Sequence, residues 1–254
     1  MYEIDCDTYR STAFNRRVRF LVIHYTALDF QASVTALTGP VSAHYLVPDP
    51  SDQSYQQAGF TGMRVFNLVD EQERAWHAGL SQWAGRTNLN DTSIGIELVN
   101  QATDHEGTLT FVPYHPQQIE VLKELVTDIL RCYPDITPTQ VVGHSDIAPG
   151  RKNDPGAMFP WQALYKAGIG AWYDIATLQR YFEQFLNALP TPEDVIAKLG
   201  QYGYDTGQAS TESEYRALIR AFQLHFRQRN YDGLLDAETA AILYALVEKY
   251  FPSE

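Results

Sequence analysis

The run Val18-Arg19-Phe20-Leu21-Val22-Ile23-His24-Tyr25 constrains the fold more than any other stretch of this chain. Its β-branched and aromatic side chains read as a central, buried strand, closed where Thr26-Ala27-Leu28-Asp29 turns polar. One imidazole, His24, sits at the strand's end. A buried strand needs partners on both edges, and four segments offer themselves: Val41 to Val47 before Pro48-Asp49-Pro50, Arg64 to Val69, Ser93 to Val99, and Thr139 to Gly143. Residues 49–62 read as a surface excursion. Pro116 opens a helix whose Ile119, Leu122, Leu125, Val126, Ile129 and Leu130 recur at helical spacing. Strands alternating with helices predict an α/β architecture, a mixed central β-sheet flanked by helices.

Beyond Gly170 the texture changes to helical periodicity with no convincing strand. Leu178, Phe182, Phe185 and Leu186 mark one helix, which Leu189-Pro190-Thr191-Pro192 breaks. Three more can follow, over residues 192–200, 213–227 and 236–250. The expected organisation is therefore an α/β domain over residues 1–188 and a small all-α three-helix domain over 189–254. A chain of 254 residues that is 44% hydrophobic can bury a core for each.

A net charge of -12, with neither Lys nor Arg gathered into a run, excludes a phosphate-backbone footprint and so a nucleic-acid partner. Cys6 and Cys132 are too few and too far apart for a disulfide framework or a thiolate metal site, and they leave the redox compartment open. No apolar run approaches the roughly 18 to 20 residues of a spanning helix. Met1 to Cys6 is too polar for a signal h-region, so an exported natural product would have lost its leader ahead of this sequence.

The chemistry gathers in two places. Gly143-His144-Ser145-Asp146-Ile147-Ala148-Pro149-Gly150-Arg151-Lys152-Asn153-Asp154-Pro155-Gly156 puts an imidazole, an ammonium and a carboxylate on one short irregular loop, and His24 arrives from the central strand. Two histidines and a carboxylate with an open fourth position is a common way to hold catalytic zinc. Glu97 lies in the apolar register of its strand, where an unpaired carboxylate must face a cleft or a cation. Partial desolvation would raise its pKa and suit it to act as a general base on water activated at the metal. A salt bridge to Arg151 or Lys152 is the structural alternative. Lys152, two residues before Asp154, would point to the same side of an extended loop and stabilise a developing oxyanion. Trp76-His77 and the Trp83 to Arg86 loop place aromatic and basic groups that could line a sugar or peptide cleft. His105, His115 and His225 read as structural, and His44 as core or as support behind the ligands.

Taken together, Val22-Ile23-His24-Tyr25-Thr26, Val41-Ser42-Ala43-His44-Tyr45, Ala75-Trp76-His77-Ala78-Gly79, Leu89 to Glu97, and His144 with Lys152 and Asp154-Pro155-Gly156 resemble the zinc N-acetylmuramoyl-L-alanine amidases of the AmpD and AmiD type. The likeness covers about residues 15 to 175. It implies His24, His144 and Asp154 as Zn²⁺ ligands and Glu97 and Lys152 as catalytic residues. Tyr25, Trp76, His77 and Arg86 are the expected substrate contacts. The reaction implied is hydrolysis of the amide joining the lactyl group of N-acetylmuramic acid to L-alanine, in peptidoglycan or its muropeptides, during wall turnover.

The tail, with Leu199-Gly200-Gln201-Tyr202-Gly203-Tyr204, Arg220-Ala221-Phe222-Gln223 and Tyr231-Asp232-Gly233, is similar to a three-helix peptidoglycan-binding module, a pairing found in the AmiD group. It departs from the usual pattern at His225 to Asn230. The resemblance implies an envelope or periplasmic enzyme, anchored to the outer membrane through a leader absent from this sequence, and a monomer is the expected state. Two other readings compete: a non-catalytic peptidoglycan-recognition protein on the same fold, and a zinc peptidase cutting within the stem peptide.

Overall fold

The structure is a computed structural model describing residues 1–105, 108–207 and 209–252. Its centre is strand β1 (Phe20–Tyr25), whose Phe20, Leu21, Val22 and Ile23 are fully enclosed because the strand has a neighbour on each edge. Around it come β2 (Tyr45–Val47), β3 (Phe66–Asn67), the hairpin β4 (Gln82–Trp83) and β5 (Arg86–Thr87), then β6 (Ser93–Leu98). A second hairpin, β7 (Thr103–His105) and β8 (Thr108–Thr110), precedes β9 (Val141–Gly143). The main sheet has the order β3-β2-β6-β1-β9, parallel except for the antiparallel edge strand β3. This is the expected mixed sheet. Ligands of open parallel sheets bind at the carboxyl ends of the strands. His24, Glu97 and Gly143-His144 all stand at such ends.

Two expected strands are shorter than their apolar runs. In 41–47 only Tyr45–Val47 pairs with β6, and in 64–69 only Phe66–Asn67 forms a ladder. The loss has a cause in pairing: the backbone around Ser42 turns to the Trp76 carbonyl instead of a strand. Residues 49–62, read as a loop, contain a short helix.

Nine helices occur among the described residues: α1 (Phe30–Leu37), α2 (Gln53–Gln57), α3 (Pro116–Cys132), α4 (His144–Ile147), α5 (Trp161–Lys166), α6 (Ile175–Asn187), α7 (Pro192–Tyr202), α8 (Glu212–Phe226) and α9 (Ala237–Tyr250). Asp29 caps α1 and Asp52 caps α2, each carboxylate accepting from first-turn amides. Helix α3 starts at Pro116 as its sequence signals, and it lays Ile119, Leu122, Val126 and Ile129 on the sheet. Each such side chain contributes about 1.5–3 kcal/mol by leaving water. On the same face the Gln118 amide donates to the carbonyls of Val47 and Val99, at 3.0 and 2.9 Å, and so ties α3 to the ends of β2 and β6. No helix among the described residues is long and apolar enough to cross a membrane.

The last three helices match their expected spans to within a few residues, and among the described residues no strand follows β9. They share one continuous apolar core with the sheet: Val195, Leu199, Leu218, Phe222, Ile242 and Leu246 belong to the same cluster as Leu21 and Ile96. Helix α6, which precedes residue 189, packs against α9. Trp83 fastens the two regions. Its indole N–H donates to the Thr139 carbonyl at 2.9 Å, and its ring lies edge-on to Tyr204 at 4.7 Å and Tyr202 at 6.0 Å. Gly203 between those tyrosines has φ +139°, and a Cβ there would stand 2.8 Å from the Trp83 ring. Only glycine suits that position.

Candidate functional site

Strand β1 delivers His24, whose ring is 1% exposed. Its parallel neighbour β6 sets Glu97 directly beside it in register. Strand β9 ends at Gly143, and the loop that follows opens with the single turn α4, starting at His144, rather than running irregular from the outset. The chain returns through Arg151 and Lys152 to Asp154, whose carbonyl accepts from the Ser145 amide at 2.8 Å. Gly143 permits this return, because a Cβ there would lie 2.6 Å from Pro155 Cδ.

Three donor atoms converge. His24 Nδ1 is 2.9 Å and His144 Nδ1 3.1 Å from Asp154 Oδ2, and the two nitrogens are 3.0 Å apart. The hydrogen-bond network assigns the tautomers. Ser93 Oγ lies 2.6 Å from the Leu89 carbonyl and donates its only proton there. It therefore accepts from His77 Nε2, at 3.2 Å, which leaves His77 Nδ1 to accept from His24 Nε2 at 3.0 Å. His24 Nδ1 is left with a bare lone pair. His144 Nε2 donates to the Ala78 carbonyl at 3.1 Å, so its Nδ1 is bare as well. Two lone pairs and a carboxylate oxygen facing one point have no proton to share among the nitrogens. A tetrahedral zinc site with bonds of about 2.0–2.1 Å has edges of about 3.3 Å, close to the spacing found. The set fits a divalent cation.

Electrostatics support ligation. Burial, and then the neighbouring His144, lower the His24 pKa to about 4, so the ring is neutral at physiological pH. Burial alone would raise Asp154, but His144 and His24 outweigh it and hold the carboxyl well below its usual range. Burial, then the imidazoles of His24 and His44, keep His77 neutral too.

His77 is thus buried behind His24 and fixes the orientation of its ring. The site has room for it only because residue 95 is glycine: a Cβ there would come within 2.4 Å of the imidazole. His44, also buried, accepts from the Gly95 amide at 3.0 Å and supports the same corner. Of the other expected substrate contacts, Tyr25 follows His24 on β1 and is partly buried, while Trp76 is 59% exposed beside His77. Arg86 is exposed in the β4–β5 hairpin, and among the described residues no hydrogen bond or ion pair ties it to the His-His-Asp cluster.

Glu97 Oε2 is shielded from solvent, and among the described residues it has no hydrogen-bond partner and Glu97 forms no ion pair. Arg151, the candidate for a structural salt bridge, instead donates to the carbonyls of Ala78 and Leu80. Burial, then the Asp154 carboxylate, raise the Glu97 pKa to about 8, against a lowering pull from Lys152. A carboxyl so placed can exchange a proton with water at pH values near its raised pKa.

Two features escaped the sequence. Tyr114 donates to the Pro155 carbonyl at 2.8 Å and closes the site beside Asp154. Asp146, two residues after His144, accepts from the Gly143 amide at 2.7 Å, from Tyr204 Oη at 2.6 Å and from His225 Nδ1 at 2.7 Å. A histidine amid buried apolar residues of α8 was the available signal, but its partner lies 79 residues away.

Fold and site together define a hydrolase with a buried glutamate beside a His-His-Asp cluster that could hold a metal ion. Residues 14–157 match the family model described as N-acetylmuramoyl-L-alanine amidase, and the chain belongs to that family. It is 47% identical to the N-acetylmuramoyl-L-alanine amidase AmiD of Escherichia coli, over 98% of this chain and 89% of that protein. A crystal structure of AmpDh3 from Pseudomonas aeruginosa in complex with anhydromuramic pentapeptide superposes with a TM-score of 0.95 at 59% identity, covering 98% of this chain and 99% of that one. The E. coli AmiD complex with anhydro-N-acetylmuramic acid-L-Ala-D-γ-Glu-L-Lys superposes with a TM-score of 0.85 at 45% identity, over 97% and 95% of the two chains.

Proposed function

We propose that His24 Nδ1, His144 Nδ1 and a carboxylate oxygen of Asp154 hold Zn²⁺, and that the site hydrolyses the amide between the lactyl group of N-acetylmuramic acid and L-alanine. The convergence of two bare imidazole nitrogens on Asp154 Oδ2 carries this reading. When bound, the ion supplies a Lewis acid at the open side of the cluster. Glu97 takes the proton of the attacking water at Oε2 and returns it to the departing amine, leaving a carboxylic acid on the sugar and a free amino terminus on the peptide. Lys152 stabilises negative charge on the carbonyl oxygen. Tyr25, Trp76 and Arg86 meet the substrate, and His77 keeps His24 in its ligating tautomer.

The substrate is peptidoglycan or its soluble muropeptides, which places the enzyme in the cell envelope. Residues 1–188 carry the catalytic groups, and 189–254 form a helical region that contacts the wall. Retention of the full-length Glu97→Ala variant on insoluble sacculi is the expected sign of that contact. For the reaction, purified protein with zinc is incubated with anhydro-N-acetylmuramyl-pentapeptide and the products are weighed by mass spectrometry. Free sugar plus intact peptide is expected. A shortened peptide still attached to sugar makes the protein a peptidase, and binding without cleavage makes it a recognition protein.

A further inference from the structure

A cleft of about 360 Å³ opens beside Lys152, between the catalytic loop, the β7–β8 hairpin and helix α8. Gly150 and Asn153 border it on the loop side, Asp104 and Leu109 on the hairpin, Arg216 and Arg220 on helix α8, and Asp232 on the loop that follows α8. The two regions meet closely at its base: a Cβ on Gly150, where φ is +75°, would come within 3.2 Å of Ala217 Cβ. A row of aromatic rings leads to it from the metal cluster. Tyr25, next to His24, lies 6.5 Å from Phe111, and Phe111 lies edge-on to Tyr231 at 5.5 Å. The Arg220 guanidinium then stands 5.6 Å from the Tyr231 ring.

The charges in this cleft are unevenly engaged. Asp232 is held by its own loop, accepting from Leu234 N at 2.9 Å and from Asn230 at 3.3 Å. Among the described residues Arg216 spends only its Nε, on the Asp232 carbonyl at 3.0 Å. Arg220 forms no hydrogen bond or ion pair among the described residues, and its Nε is shielded from water without a partner. A guanidinium that the fold leaves without a carboxylate partner keeps its outer N–H groups for one that a ligand brings. Guanidinium forks match carboxylates.

We propose that Arg220, with Arg216 beside it, is a specificity subsite for the carboxylates of the distal stem peptide, so that the C-terminal helices read the peptide rather than only the wall. This rests on the amidase reading above. Span and chemistry agree with it. The steps from Tyr25 to Phe111 to Tyr231 are covered by three to four extended residues at ~3.3–3.6 Å each, so a peptide whose first residue lies at the metal brings its later residues to α8. A γ-linked glutamate and the peptide terminus both present free carboxylates.

The test compares two substrates on the full-length zinc enzyme: anhydro-N-acetylmuramyl-L-alanine and the corresponding pentapeptide. Arg220→Gln is expected to raise KM for the pentapeptide about tenfold with kcat kept, and to leave the truncated substrate unchanged. Arg220→Lys restores part of the difference, and Arg216→Gln moves KM the same way. Equal KM changes on both substrates, or none on either, overturn the subsite. If Arg220→Gln unfolds the helices, Arg216→Gln decides alone: an unchanged preference overturns the proposal. A wild-type protein inactive on both substrates sinks the amidase reading instead, and the subsite is then decided by whether wild-type protein binds the pentapeptide at least tenfold more tightly than Arg220→Gln in calorimetry.

Discussion

His225 Nδ1 lies 2.7 Å from Oδ2 of Asp146, although one residue belongs to helix α8 and the other to the turn that carries His144. The His225 ring is sandwiched between Trp161 at 3.8 Å and Phe226 at 3.9 Å, so its orientation is fixed by packing. His225→Phe keeps the stack and removes the bond to a carboxylate that is 0% exposed. We expect a stability loss of about 1–3 kcal/mol and zinc binding weakened about tenfold, as for other groups that orient ligands from behind. Chemical denaturation and competition with a chromophoric chelator measure the two, and unchanged zinc affinity would show that the clamp does not reach His144.

His77→Ala leaves His24 Nε2 without its acceptor and frees the ring to rotate. Zinc affinity should fall about 10–100-fold. Gly95→Ala, which would drive a methyl group into the same imidazole, is expected to act in the same direction. The same chelator titration applies, and affinity that survives both changes sinks the assigned tautomer chain.

Glu97→Gln removes the proposed proton acceptor and keeps the shape. The expected drop in kcat is about 10²–10⁴-fold, with zinc content by elemental analysis unchanged. A loss of zinc in step with activity would make Glu97 a structural residue instead.

The raised Glu97 pKa also has a thermodynamic sign. The folded protein holds this proton up to about pH 8, whereas the unfolded chain releases it near 4.5, so ionisation disfavours the native state. In metal-free protein the Glu97 contribution to stability is whole below pH 4.5 and declines as pH rises to about 8. Glu97→Gln should therefore be more stable than wild type at pH 8 by about 1–3 kcal/mol and close to it at pH 5, with the wild-type side chain partly relaxing toward water. Calorimetric melts of the chelated proteins at both pH values decide it. A gap that does not widen with pH contradicts the sign.

Much of this site was legible because polar groups stood out against apolar runs. His24 and Glu97 each interrupt a strand that is otherwise buried, and a sheet leaves such residues only its carboxyl edge to occupy. The sheet class and the helical tail followed from periodicity in the same way. What stayed hidden depends on partners far along the chain. His77 was visible as a Trp-His pair, but its task is set by His24 on one side and Ser93 on the other. His225 looked like an ordinary helical residue, since nothing near it in sequence names Asp146. The shortness of β2 and β3 and the existence of the two hairpins depend on pairing, which apolar content alone does not specify.

The seating of Trp83 between Tyr202 and Tyr204 bears on how this protein can be rebuilt. An indole on the catalytic side and a glycine-bearing socket on the helical side are cut to each other, with the left-handed Gly203 as the point of fit. A foreign wall-binding tail joined at residue 189 would bring neither socket nor clamp, and would uncover the indole as well as the Asp146 carboxylate. The tail is therefore not a cartridge that can be exchanged for another address. Chimeras that keep activity will be those that carry Tyr202, Gly203, Tyr204 and His225 across with the graft.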